Sequence, residues 1–157
     1  MAYRMIRTEE DPVLAKVSRP VVSFDAKLHL LLQDMKDTMR KADGVGLAAV
    51  QIGILRRVVI MDVGDEHGLV EAINGEIIET RGEQNEIEGC LSLPNKSGIT
   101  SRPMYVKFRA QDRYGNWFEA EGEGLFARCV CHEFDHLDGI VFTKKLAKGE
   151  KVRFDRD

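Results

Sequence analysis

His132-Glu133-Phe134-Asp135-His136 constrains this chain more than any other stretch of it. On an α-helix, residues four apart lie about 40° apart around the axis and one turn along it. His132 and His136 can therefore aim their imidazoles at one metal ion from the same helix face. Glu133 lies about 60° from His136, near enough to reach a water on that ion without being a ligand. Two histidines that hold an ion and a glutamate that handles a proton form a hydrolytic unit, provided a third ligand exists.

The third ligand is not downstream. A metzincin pattern would place a histidine six residues after His136, where Phe142 stands. A thermolysin-like protease would use a downstream glutamate, and the only one after His136 is Glu150. A protease reading is therefore poor. Upstream, Cys90 in Glu88-Gly89-Cys90-Leu91-Ser92 is the best candidate, in a stretch of strand-to-loop character. Cys129 and Cys131 compete with it. Two apart on a helix, they point about 160° away from each other, so they cannot both face an ion. Cys129, three residues before His132, lies on the ligand face, whereas Cys131 reads as a small core residue.

Gly44-Val45-Gly46-Leu47-Ala48-Ala49-Val50-Gln51 is the third informative segment. Its small residues permit close approach of backbone to a ligand, and Gln51 offers an amide donor to a developing oxyanion. It lacks the Lys-Ser/Thr ending of a phosphate loop. Taken alone it reads as a helix stop followed by a tight turn.

The rest of the pattern sets the fold class. Leu28, Leu31, Leu32, Met35 and Met39 recur at helical steps between Asp25 and Ala42, with Gly44 near the stop. Asp11-Pro12 opens a short helical turn to about Val17. Arg57–Val63, Glu71–Arg81, Ile99–Ser101, Met104–Asp112 and Trp117–Glu121 read as strands, the last two joined by a turn at Arg113–Asn116. A second helix is expected from Leu125 to Asp138, with Leu125, Val130, Phe134 and Leu137 inward. Helices and strands come in blocks, so the class is α+β, mainly antiparallel sheets around a central metal-binding helix. At 157 residues, the chain is expected to be a single domain over 1–157. A net charge of -3 gives no bulk nucleic-acid patch, and no apolar run reaches the roughly 18–20 residues of a membrane span. Three cysteines and no secretory signal point to a reducing cytoplasm.

Together the three segments resemble the signature motifs of the peptide deformylase family, G-x-G-L-A-A-x-Q, E-G-C-L-S and H-E-x-D-H, in the family's order. Ile6-Arg7-Thr8 and Asp11-Pro12-Val13-Leu14 also look like the family's opening. The resemblance implies a metal-dependent hydrolase that removes the N-formyl group from the initiator methionine of nascent polypeptides and releases formate. It implies metal ligation by Cys90, His132 and His136, with Fe²⁺ typical and Zn²⁺, Ni²⁺ or Co²⁺ able to substitute. Glu133 would move the proton, while the Gln51 amide and the Leu91 N–H would hold the oxyanion. Val45, Leu91, Cys129 and His132 would line the methionine pocket, and a tight Gly46 would admit formyl and exclude acetyl. Glu88 would support the site, with Arg102 as its candidate ion-pair partner. N-formylmethionyl nascent chains would be the partners, the ribosome a transient one by family analogy alone, and a bacterial cytoplasm the location. Two departures stand out: Val50 where many members carry proline, and Ser97 where some carry an arginine near the peptide. The tail from Lys144, with six basic and three acidic residues, reads as solvated.

Overall fold

Leu28, Leu32, Met35 and Met39 form the buried stripe of the first helix, α1 (Ala26–Lys41), in the computed structural model of the chain, which describes residues 2–155. Each such side chain contributes roughly 1.5–3 kcal/mol of gross burial free energy. Asp25 caps the helix, its carboxylate accepting the Leu28 N–H at 3.1 Å. The helix stops differently from the sequence expectation. Asp43, not Gly44, takes the left-handed conformation at φ 59°, and the Gly44 N–H returns to the Met39 carbonyl at 3.0 Å. The turn after Asp11 is a 3₁₀ helix, Pro12–Ala15, shorter than expected.

Among the described residues eight strands follow: β1 (Gly46–Ala48), β2 (Val58–Met61), β3 (Val70–Arg81), β4 (Gln84–Cys90), β5 (Leu93–Arg102), β6 (Tyr105–Gln111), β7 (Trp117–Glu123) and β8 (Arg153–Phe154). The named pairings are all antiparallel and make two sheets. One has the order β1-β2-β3-β6-β7, the other β4-β5-β8. β1 and β4 are therefore open edges of different sheets.

The second helix, α2 (Leu125–Leu137), is buried continuously from Phe126 to Phe134. Phe126, Ala127, Val130, Phe134 and Leu137 pack against Val59, Ala72, Val106 and Phe108 of the larger sheet. Leu125, expected inside, is 53% exposed and sits at a cavity rim. Phe134 approaches β3 at Gly75, where an added Cβ would lie 2.5 Å from the ring.

Of β4 the sequence suggested only the Glu88–Cys90 end, and β5 extends well beyond Ile99–Ser101. The cause is an inverted pattern: in β4 the apolar Ile87 faces out while Gln84 and Glu88 are buried, and in β5 the buried set includes Thr100 and Arg102. These strands turn hydrogen-bonding groups, not hydrocarbon, toward α2. Most charged side chains of the tail are exposed as expected, among the described residues, while its main chain docks on β5. The Lys145 carbonyl accepts from Ser101, Leu146 bridges Thr100, and β8 pairs Phe154 with Lys96 and Arg153 with Ser97.

Candidate functional site

Cys90 closes β4 at a register shift between Gly89 and Cys90, which brings its thiol toward α2. Its Sγ lies 3.4 Å from His136 Nε2. The ligand atoms of Cys90, His132 and His136 all fall within 4.8 Å of one another. The competing cysteines are elsewhere. Cys129 Sγ meets the Val45 carbonyl at 3.6 Å, and burial pushes its thiol up; burial likewise raises Cys131 to about 11.

The donor set fits a divalent transition ion: one sulfur and two imidazole nitrogens suit several such ions. His132 Nδ1 faces Glu88 Oε2 at 2.6 Å, leaving Nε2 for the cluster. Burial, then the charges of His132 and Arg102, lowers His136 to about 3, so it stands as the neutral imidazole that ligation needs. For His132, burial opposes a proton, but Glu133, Cys90 and Glu88 around it raise the ring well above its ordinary value. A cation in the cluster would compete directly with that proton.

Glu88 ties His132 to the rest of the fold. Its carboxylate accepts from Arg102 Nη2 at 2.6 Å, Arg128 Nη1 at 2.8 Å and Thr100 Oγ1 at 2.8 Å. Burial would raise its pKa, yet the hydrogen bonds and charges of His132 and Arg102 hold it well below the carboxylate range. Arg102 also donates to Asp135 Oδ2 at 2.7 Å. The Glu88–Arg102 pair matches the sequence expectation. Arg128, Thr100 and Asp135 were missed. Arg128 carried a readable signal, since it stands four residues before His132 on the ligand face, and a cation there needs an anion inside.

Gln51 sits in a 3₁₀ turn, Ala49–Ile52, which follows β1 directly where a tight turn alone was expected. The Ala48 N–H donates to its Oε1 at 2.9 Å. That bond fixes the amide so that Nε2 faces Ser92 Oγ at 3.1 Å and Cys90 Sγ at 3.6 Å. Glu133 is 4% exposed, and burial raises its carboxyl to about 7. A Cβ built on Gly46 would lie 2.5 Å from Glu133 Oε2. The missing side chain at Gly46 is the room in which the glutamate stands.

A cavity of about 420 Å³ opens beside these groups. Val45, Gly46, Leu91 and Cys129 line it as the sequence suggested, and so do Gln51 and Glu133. Ser97 pairs with Gly89 on β5 and is not in its lining.

Residues 3–152 match the polypeptide deformylase family. The chain belongs to that family. A peptide deformylase of Alkaliphilus metalliredigens is 54% identical over 148 residues, 94% of this chain and 99% of that one. Peptide deformylase 1 of Bacillus subtilis is 50% identical over 94% of this chain and 92% of its own. Among solved structures, the Thermotoga maritima peptide deformylase superposes with a TM-score of 0.90 at 40% identity, covering 94% of this chain and 99% of that one. That of Legionella pneumophila gives 0.89 at 42% identity, covering 94% and 88%. As a deformylase-family member the chain is a metal-dependent hydrolase of protein biosynthesis. Among the described residues, no helix is long and apolar enough to cross a membrane.

Proposed function

We propose that residues 1–157 act as one catalytic domain that hydrolyses the N-formyl group of formylmethionyl polypeptides. Cys90, His132 and His136 would hold the ion, and Glu133 would carry the proton. The observation that carries this reading is the three-ligand cluster beside a buried glutamate whose carboxyl lies at about 7. Fe²⁺ is the proposed ion, with Zn²⁺, Ni²⁺ or Co²⁺ as substitutes. A divalent ion held there supplies a Lewis acid and lowers the pKa of water toward about 7.

The remaining steps fall to the chain's own groups. Glu133 takes one proton from the attacking water, whose oxygen bonds to the formyl carbon. The Gln51 amide and the Leu91 N–H stabilise the negative charge that develops on the formyl oxygen. Glu133 then delivers a proton to the amine as the C–N bond breaks, leaving formate and a free methionine N-terminus. Ala48 holds Oε1 of Gln51 and Ser92 takes one Nε2 hydrogen, so the hydrogen now directed at Cys90 Sγ is the one that would turn to the formyl oxygen.

The apolar walls at Val45, Leu91 and Cys129 would take the methionine side chain. Beyond methionine, the open edges of β1 and β4 both border the cavity and offer main-chain groups to an extended peptide. The nascent chain would be met in a bacterial cytoplasm, with the ribosome a transient neighbour. The deciding experiment is formate release from formyl-Met-Ala-Ser by protein loaded anaerobically with Fe²⁺. Wild type should turn the peptide over rapidly. Glu133→Ala should keep its metal and lose orders of magnitude in kcat. A fully loaded, folded wild type that releases no formate would refute the proposal.

A further inference from the structure

The loop between β2 and β3, residues 62–69, lies against the start of α2, and the side chain of His67 makes the contact. Its ring stacks on Phe126 with centroids 3.8 Å apart and planes 11° apart. Gly122 of β7 leaves room for both rings: a Cβ there would stand 2.6 Å from Phe126 and 3.1 Å from His67. His67 Nδ1 meets Asp65 Oδ2 at 2.9 Å, and Nε2 meets the Glu121 carbonyl at 2.8 Å. Asp65 Oδ1 also accepts the main-chain N–H of His67 at 3.0 Å. At its other end the loop reaches the cavity wall, where the Asp62 N–H donates to the same Val45 carbonyl that Cys129 Sγ meets.

A carboxylate and a peptide carbonyl accept hydrogen bonds and donate none. A neutral imidazole carries one N–H, so it satisfies one of these two oxygens and turns a lone pair toward the other. The imidazolium donates to both, and as a cation over the Phe126 face it is further stabilised. The charged groups that bear on the ring are Asp65 and Glu66 of its own loop. β7 presents the Glu121 carbonyl, while the Glu121 carboxylate accepts from Tyr105, and α2 presents the uncharged Phe126. Burial disfavours the charge, yet the hydrogen bonds to Asp65 and the Glu121 carbonyl raise the ring above its ordinary 6.5. The sign follows: the contribution of the proton to the folded loop is full below 6.5 and is lost as pH rises through the higher folded value.

We propose that His67 is a proton-held latch, whose doubly protonated ring fastens the tip of the 62–69 loop to β7 and to the first turn of α2, and that loss of one ring proton frees the tip. The turn so fastened is the one that carries Leu125 at the cavity rim. Asp62 stays bonded to Val45 in either state, so the movement is confined to the tip.

The test uses Zn²⁺-loaded protein, because a d¹⁰ ion leaves NMR signals sharp. The His67 ring is titrated, its signal assigned by its loss in His67→Phe. Amide-exchange protection factors of His67 and Gly68 are compared at about pH 5.5 and about pH 8.5. Wild type should lose about five-fold in protection, as expected for one net hydrogen bond, while His67→Phe should be weakly protected at both values. Asp65→Asn keeps an oxygen for the His67 N–H and turns an NH₂ toward Nδ1, an arrangement that suits the neutral ring. Its loop should hold the same protection across the range. A wild-type ring that titrates at or below 6.5 would overturn the proposal, as would wild-type protection that does not change with pH. Both are read without any variant. A loss in Asp65→Asn equal to that of wild type would overturn it too, because the titrating group would then lie elsewhere.

Discussion

Replacing Gly46 by alanine tests the placement of the proton carrier with the smallest available change. The new methyl carbon would stand 2.5 Å from Glu133 Oε2 and 2.9 Å from its Cδ and Cγ, where ordinary contact begins at 3.4 Å. The carboxylate must therefore retreat by about 0.9 Å, because position 46 is a strand residue paired with Met61 and cannot easily yield. A misplacement of about 1 Å in a catalytic group costs on the order of 100-fold. None of the three ligand side chains is among the nearest atoms to that methyl, so the metal content should be unchanged. The assay is steady-state formate release on formyl- and acetyl-Met-Ala-Ser, with bound iron measured in parallel. A displaced Glu133 lowers kcat for both acyl groups by the same factor of about 100. A methyl that merely narrows the acyl site penalises acetyl more than formyl. Gly46→Ala with kcat within three-fold of wild type and a normal metal content would refute the reasoning.

Three further perturbations follow from the same geometry. Glu88→Ala leaves Arg102, Arg128 and His132 facing one another without their anion; it should cost about 3–5 kcal/mol in denaturant unfolding and weaken metal retention roughly 10–100-fold against a chelator. Wild-type metal retention in that variant would remove Glu88 from its supporting role. Gly75→Ala drives a methyl to within 2.5 Å of the Phe134 ring and should destabilise by about 1–3 kcal/mol without altering substrate ratios; an unchanged melting temperature would contradict the close packing of α2 on β3. In metal-free protein, Glu133 ionises at about 7 against a reference of 4.5, so the native state retains a proton that the unfolded state releases between those values. Its contribution to stability is full below about 4.5 and is lost as pH rises to 7. The wild-type minus Glu133→Gln difference in unfolding free energy should fall across that window, and a flat difference would show that Glu133 is not buried as described.

The sequence carried the helices and the His132–His136 pair because each rests on a periodicity, whereas Cys90 came from elimination and from the family resemblance. Leu28, Leu32, Met35 and Met39 repeat at helical spacing, and His132 and His136 share a face by their separation alone. It carried much less of the smaller sheet. There Glu88, Thr100 and Arg102 occupy the inward positions where hydrophobic alternation is normally sought, while Ile87 faces solvent. Strands that bury a charge network look polar in one dimension, and only their pairing with α2 reveals why. The same holds for the tail. Its charges suggested a solvated end, yet its main chain docks on β5 through Lys145, Leu146 and β8. Arg128 shows the limit from the other side: its position was readable, but the acceptors of its Nη1 lie 40 and 28 residues away in β4 and β5.

The two open strand edges beside the cavity bear on breadth. Peptide N–H and C=O groups are identical in every polypeptide, so a catalyst that gripped its substrate by the main chain at Gly46 and along Ile87–Cys90 would be blind to most of what it held. Selectivity would then contract to the first residue and its acyl cap, an enzyme arranged this way would serve as a generalist across a whole proteome, and sequence preferences beyond that residue would be shallow gradients rather than gates.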